Sequence, residues 1–252
     1  MIDPVSNGDI KKYDGGITDW SLLFFIIFLL FVGAYQRNSL WKSDLELWRD
    51  CVKKSPQKER THHNLGYVYY DLGRWDDAKK EFEEALKLNP RYALSVYNLG
   101  LVFYRRGRVD GAIDLYKKAI QLDSTFTYSF YNLGIAYYQK GLYKDAVKAF
   151  KKFVRLNPDY ENAHNNLGLA YQGLRQRDKA IQSFQEELKS HPEDSYANMY
   201  LGDIYRELKD YSMALSHYKK ALTHPDASNG KKIQKAISSI EIARRNKRMR
   251  GG

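Results

Sequence analysis

The chain has little of what chemistry at a site usually requires. A single cysteine, Cys51, stands among 252 residues, which excludes an intramolecular disulfide framework and any multi-cysteine zinc site. The six histidines are His62, His63, His164, His191, His217 and His224, and none forms the two-histidine helical pattern with glutamate that binds zinc. His62 and His63 are adjacent, so on a helix they point about 100° apart and do not share one ion. No glycine-rich phosphate loop, no Gly-x-Ser-x-Gly elbow and no Cys-x-x-Cys occurs. The acidic pairs Asp76-Asp77, Glu83-Glu84 and Glu186-Glu187 stand beside Lys and Arg. They read as solvated helical faces with charge pairing. These absences predict a protein that is not an enzyme and holds neither metal nor cofactor.

What is present is a period. Leu-Gly recurs at Leu65-Gly66, Leu99-Gly100, Leu133-Gly134, Leu167-Gly168 and Leu201-Gly202, always 34 residues apart. Aromatics follow three residues past each glycine, at Tyr69, Phe103, Tyr137, Tyr171 and Tyr205. Alanine comes next, at Ala78, Ala112, Ala146, Ala180 and Ala214, and then a second aromatic, at Phe82, Tyr116, Phe150, Phe184 and Tyr218. Pro90, Pro158 and Pro192 close three of the first four units. A fixed period of this size is the mark of a solenoid. Within each unit, the Leu, Gly and first aromatic share one stripe of a first helix. The alanine and second aromatic make a matching stripe on a second helix. Such units bury their apolar faces only by stacking.

These residues resemble the tetratricopeptide (TPR) repeat from Glu59 to about Pro225. The resemblance implies an all-α fold, a right-handed α-solenoid of helix-turn-helix units, here 59–92, 93–126, 127–160, 161–194 and 195–226. Some positions depart from the family pattern. Ser124 replaces a closing proline, Phe153 and Glu187 replace a small residue, and Arg175 and Lys209 replace the turn glycine seen as Gly73, Gly107 and Gly141.

Outside the repeats, charge and apolarity are unevenly spread. The net charge is +11, and the tail after Pro225 carries eight Lys/Arg against Asp226 and Glu241. Residues 1–16 read as a polar tail. Residues 17–35 contain the run Leu22–Val32, which has no polar residue. A helix from Trp20 to Tyr35 would span about 24 Å, against about 30 Å of hydrocarbon. The reading is one uncleaved transmembrane helix, with Trp20, Tyr35 and Trp41 at its interfaces. It predicts a single-pass protein of a bacterial inner membrane. The charge rule slightly favours repeats in the cytoplasm, because Arg37, Lys42, Arg49, Lys53 and Lys54 follow the run.

Residues 36–58 look like half a repeat, since Trp48, Cys51 and Pro56 lie 34 residues before Phe82, Ala85 and Pro90. Cys51 is expected to be a packed thiol. Residues 227–252 read as a capping helix with Ile233, Ile237 and Ile240 on one face. A basic tail follows, Arg244, Arg245, Lys247, Arg248 and Arg250, which is either a solvated end or a contact for anionic lipid headgroups. Nucleic acid is not expected, because no aromatic platform accompanies the charge.

The candidate site is the inner face of the solenoid. On each first helix the stripe opposite Leu and Gly should line a concave groove. It carries Asn64, Asn98, Asn132 and Asn166 just before each leucine, Tyr67 two residues after it, Tyr70, Tyr104 and Tyr138 five after it, and Tyr97 and Tyr131 two before it. Arg206 marks the charged far end with Asp203 and Glu207. The asparagine series resembles the ladder on the concave face of O-linked N-acetylglucosamine transferases, where amides hold an extended peptide by its backbone. An amide both donates and accepts, which suits a peptide unit. Against this stands a purely structural role for the asparagines. The carboxylate clamp of chaperone-binding members is absent, since its positions hold His63, Tyr67, Tyr128 and Asn132. The junction 35–66 resembles the last span and first repeats of transmembrane TPR proteins related to lipid-dependent glycosyltransferases. The functional expectation is therefore a membrane-anchored scaffold that recruits a protein or peptide; the alternative is an accessory or regulatory part of a glycosyltransferase system without its catalytic half. Self-association through the solenoid ends stays open.

Overall fold

The computed structural model describes residues 23–30, 32, 43–223 and 229–250. Among them every regular element is a helix. A lone helix, α1 (Asp44–Lys54), precedes five pairs: α2 (Glu59–Asp71) with α3 (Trp75–Leu88), α4 (Ala93–Arg105) with α5 (Val109–Leu122), α6 (Tyr128–Gln139) with α7 (Tyr143–Leu156), α8 (Ala163–Gly173) with α9 (Arg177–Ser190), and α10 (Ser195–Glu207) with α11 (Tyr211–Thr223). Helix α12 (Gly230–Arg250) closes the stack against α11. The fold is an α-solenoid.

The repeated residues build the core that their spacing implies. Leu65, Leu99, Leu133, Leu167 and Leu201 are buried, and so are Phe82, Tyr116, Phe150, Phe184 and Tyr218. Helix α1 lays Leu45, Trp48 and Val52 on the first repeat, with Cys51 half-buried. At the other end Ile233, Ala236, Ile237 and Ile240 of α12 cover Ala214, Tyr218 and Ala221. Both ends of the stack thus bury an apolar face that a bare repeat would expose.

Each pair turns through a left-handed residue. Gly73, Gly107 and Gly141 have φ of 70°, 74° and 72°, while Arg175 and Lys209 hold the same place at 58° and 62°. A Cβ makes that conformation unfavourable by about 1–2 kcal/mol, part of which the greater freedom of unfolded glycine offsets. Arg175→Gly and Lys209→Gly should therefore each stabilise the protein by about 0.5–1 kcal/mol, read as a higher urea midpoint. An unchanged or lower midpoint would mean that these side chains stabilise the turn in some other way.

The transmembrane expectation is corrected. Among the described residues no helix is long and apolar enough to cross a membrane. Of 17–35, helix is described over 23–30 and at residue 32, and eight helical residues extend only about 12 Å. The single-pass membrane placement, and with it the preferred side of a membrane, is withdrawn. Trp20, Tyr35 and Trp41, assigned to its interfaces, lie outside the described residues, as does the polar tail 1–16. At the far end the basic residues lie on the last turns of α12, where Arg244 and Arg245 are exposed.

Candidate functional site

First helices of neighbouring repeats touch one another, α2 with α4 and α6 with α8. That contact places them on the inner, shorter side of the curved stack. Side chains bridge this face between residues 35 apart. Asn132 Nδ2 donates to the Tyr97 hydroxyl at 2.8 Å, and Asn166 Nδ2 donates to the Tyr131 hydroxyl at 2.9 Å. Arg105 Nε donates to the Tyr70 hydroxyl at 3.2 Å. Three tyrosines of this face, Tyr70, Tyr97 and Tyr131, are thus each held by a side chain of the following repeat.

This arrangement changes the reading of the asparagines. Asn98 is buried, so it does not offer its amide to the groove as the sequence suggested. Asn132 and Asn166 are half-buried and commit one N–H to a tyrosine, while Asn64 is half-buried. The exposed groups are rings. Tyr67 is 48% exposed, Tyr128 45% and Tyr138 37%, which leaves aromatic surface where a partner would land. Tyr70, Tyr97, Tyr104 and Tyr131 are half-buried. Arg206 is half-buried at the far end, 3.4 Å from the Asp203 carboxylate.

The face is almost free of charge in its middle. Burial raises the pKa of Tyr97, Tyr104, Tyr131 and Tyr138, so these phenols stay protonated, and Tyr97 and Tyr131 accept from asparagine amides. Tyr116 lies beneath them, its ring 5.9 Å from that of Tyr97. Its buried hydroxyl has no partner. In the last repeat the equivalent Tyr218 donates to Asp203 at 2.6 Å. Leu101 occupies the Asp203 position under Tyr116, which explains the orphan.

Sequence reasoning missed one feature beside this face. Tyr131, Phe153 and Tyr160 form an aromatic triad with ring centroids 4.8–5.4 Å apart. One repeat later the same three positions hold Asn165, Glu187 and Asp194. Glu187 is 1% exposed and is not the solvated residue its acidic pair suggested. Its carboxylate accepts from the backbone N–H of Asn162 at 2.8 Å, His164 at 3.0 Å and Asn165 at 3.2 Å. Asn165 in turn donates to Asp194 at 2.9 Å. The register could have revealed this swap, because each member changes class at a spacing of 34.

His63 marks the first repeat's version of the place. Its ring lies 5.6 Å from Phe82 and 5.1 Å from Tyr92, and its Nδ1 is 2.9 Å from the Ser95 hydroxyl. Burial pushes its pKa down to about 4, from about 6.5 in an unfolded chain. The unfolded state then binds more protons below pH 6.5, so stability is fully present above that value and is lost down to pH 4. The expected loss is up to about 3 kcal/mol over that window. His63→Phe should flatten this part of a stability–pH curve. A slope that His63→Phe leaves intact would assign the effect to other groups.

Comparison with known proteins agrees with the repeat fold. A family model described as tetratricopeptide repeat matches residues 63–125 and 165–231, just over half of the chain, and a TPR repeat model matches 136–174. The solved structure of YrrB, described as a TPR protein with an unusual peptide-binding site, superposes with TM-score 0.63 at 21% identity, covering 73% of this chain and 95% of that one. A crystal structure of MamA superposes with TM-score 0.60 at 28% identity over 63% of this chain and 93% of its own. MamA from Desulfovibrio magneticus RS-1 gives 0.62 at 22% identity, over 66% and 93%. Among curated proteins, 57 residues are 35% identical to protein O-mannosyl-transferase F38B6.6 of Caenorhabditis elegans. That stretch is 23% of this chain and spans only 8% of the relative's length. By its repeats and its fold, this chain belongs to the tetratricopeptide repeat family.

Proposed function

We propose that the protein is a non-catalytic binding scaffold that holds an extended segment of a partner protein along the inner face of its repeats. The observation that carries this reading is the continuous row of tyrosines on α2, α4 and α6, tied repeat to repeat by Asn132, Asn166 and Arg105. Tyrosine combines a large apolar face with a polar tip, and such rings are enriched where proteins meet. The peptide-binding description of YrrB supports the same use of the fold. Tyr67→Ala with Tyr138→Ala removes two exposed rings while leaving the buried core intact. Partners captured by the intact chain from its own cell should be lost on the double variant, and circular dichroism should be unchanged. Full retention of those partners would move the interaction off this face.

The short likeness to an O-mannosyl-transferase supports a second reading, in which the repeats serve a sugar-transfer system without performing the transfer. Loss of transfer on deletion of the chain, rescued by the chain but not by the double variant, would favour it.

A further inference from the structure

Away from the inner face, the second helix α7 differs from its counterparts in the other repeats. Lys144, Lys148, Lys151 and Arg155 are exposed and follow one another at spacings of four, three and four, which puts them in one row on the outward side of the helix. The row runs about 16 Å. The register of 34 residues brings acids to the same places elsewhere: Asp76 and Glu83 on α3, Asp110 and Asp114 on α5, and Asp178 on α9. Among the described residues Lys144, Lys151 and Arg155 make no ion pair, and Lys148 lies 3.4 Å from Asp145.

Clefts with apolar floors border this row. Toward α6, Lys148 and Lys152 edge a cleft of about 230 Å³ over Phe130, Leu133, Tyr137 and Ala149. Toward α8, Lys151 edges another of about 340 Å³ with Leu167, Tyr171 and Lys179. Glu186 at the second cleft is already held by Lys189 at 2.7 Å.

These surroundings select the ligand. A cationic row one helix wide, with Asp110, Asp114 and Asp178 on the neighbouring helices, attracts a narrow anionic chain and repels a broad anionic surface. The rings beside it are not open platforms for bases, because Lys152 lies 5.9 Å from the Phe130 ring, Lys117 5.8 Å from Tyr137 and Lys179 5.7 Å from Tyr171. The clefts instead suit aliphatic or aromatic side chains, which a polypeptide carries among its carboxylates. A second copy of this chain offers no free acidic row from α3, where Asp76, Asp77, Glu83 and Glu84 are each already paired with a cation.

We propose that the outward face of α7 docks an acidic segment of a partner protein, distinct from the segment on the inner face. Its carboxylates meet Lys144, Lys148, Lys151 and Arg155 while its large apolar side chains enter the two clefts. The test uses the full chain and three labelled probes in fluorescence anisotropy: a twelve-residue peptide of repeated Asp-Leu-Glu-Phe, one of repeated Asp-Ser-Glu-Ser, and a twelve-nucleotide oligothymidylate. The first peptide should bind about tenfold or more tightly than the second, since it alone fills the clefts. Lys148→Glu with Lys151→Glu should weaken it about tenfold or more by reversing two contacting charges, with the thermal melt changed little. Lys219→Glu with Lys220→Glu, an equal change of charge on α11, should leave it within about twofold, because distant charges are screened. Equal loss from the two double variants overturns the proposal, since attraction then follows net charge alone. Equal affinity for the two peptides overturns it too, because the clefts then hold nothing. Tighter binding of the oligothymidylate than of the first peptide assigns the face to nucleic acid, and failure of the first peptide to bind also overturns the proposal. None of these outcomes bears on the inner face, which the capture experiment with Tyr67→Ala and Tyr138→Ala decides separately.

Discussion

Replacing Glu187 by alanine should cost about 3–5 kcal/mol of stability. The carboxylate is 1% exposed and sits at the start of α8, where three backbone N–H groups converge on it. His191 Nδ1 lies 2.8 Å from the same carboxylate. A helix start leaves its first N–H groups without partners and carries partial positive charge, so an anion fits there. Hydrogen bonds to a charged group contribute about 1.5–3 kcal/mol each, and buried groups left unmade cost a comparable amount. Water entering the vacated space offsets part of the loss. Urea unfolding of Glu187→Ala reads the effect directly. A loss below about 1 kcal/mol, the usual scale for surface positions, would contradict the buried cap.

The second large effect comes from Gly134. An added Cβ there would lie 2.6–2.9 Å from three atoms of the Phe150 ring, and Phe150 is itself 1% exposed. On helix propensity alone, Gly134→Ala should stabilise α6 by about 1 kcal/mol. Overpacking costs about 1–3 kcal/mol in a filled core, and here the ring has nowhere to retreat. The net expectation is a destabilisation of about 1–2 kcal/mol, with Phe150→Leu partly restoring the double variant. A stabilised Gly134→Ala would mean that the helices of this repeat are less closely packed than described.

The helix pairs were legible because their causes are local and periodic. Leu-Gly and the aromatic sixteen residues on recur together, and contact between Gly134 and the Phe150 ring is what such spacing demands. The left-handed turn was legible at Gly73, whereas Arg175 stood out as a departure from the pattern and yet adopts the same conformation. Backbone geometry there follows from the packing of the pair, which overrides the residue's own preference. The site was legible in outline only. The inner stripe could be counted along each helix, but whether an amide faces a ligand or a neighbour depends on contacts 35 residues away, as Asn132 and Tyr97 demonstrate. Glu187 was misread as solvated although it follows Ala180 and Phe184 on the buried stripe of α9; the backbone N–H groups its carboxylate caps lie at the start of α8 and are not written in its own helix. The apolar run over 22–32 misled differently. Hydrophobicity gives the length a segment could reach as a helix, whereas the described helix there covers 23–30 and residue 32.

The most direct measurement is site-specific photo-crosslinking in the cell that makes the protein. A benzophenone side chain is placed at Tyr104 on the inner face or at Lys151 on the exposed outer side of α7, and the attached peptides are sequenced. Binding along the inner face predicts one recurrent partner segment attached at Tyr104, absent at Lys151 and lost when Tyr67 and Tyr138 become alanine. The same adduct from Lys151, or its persistence in the alanine variant, would contradict binding along that face.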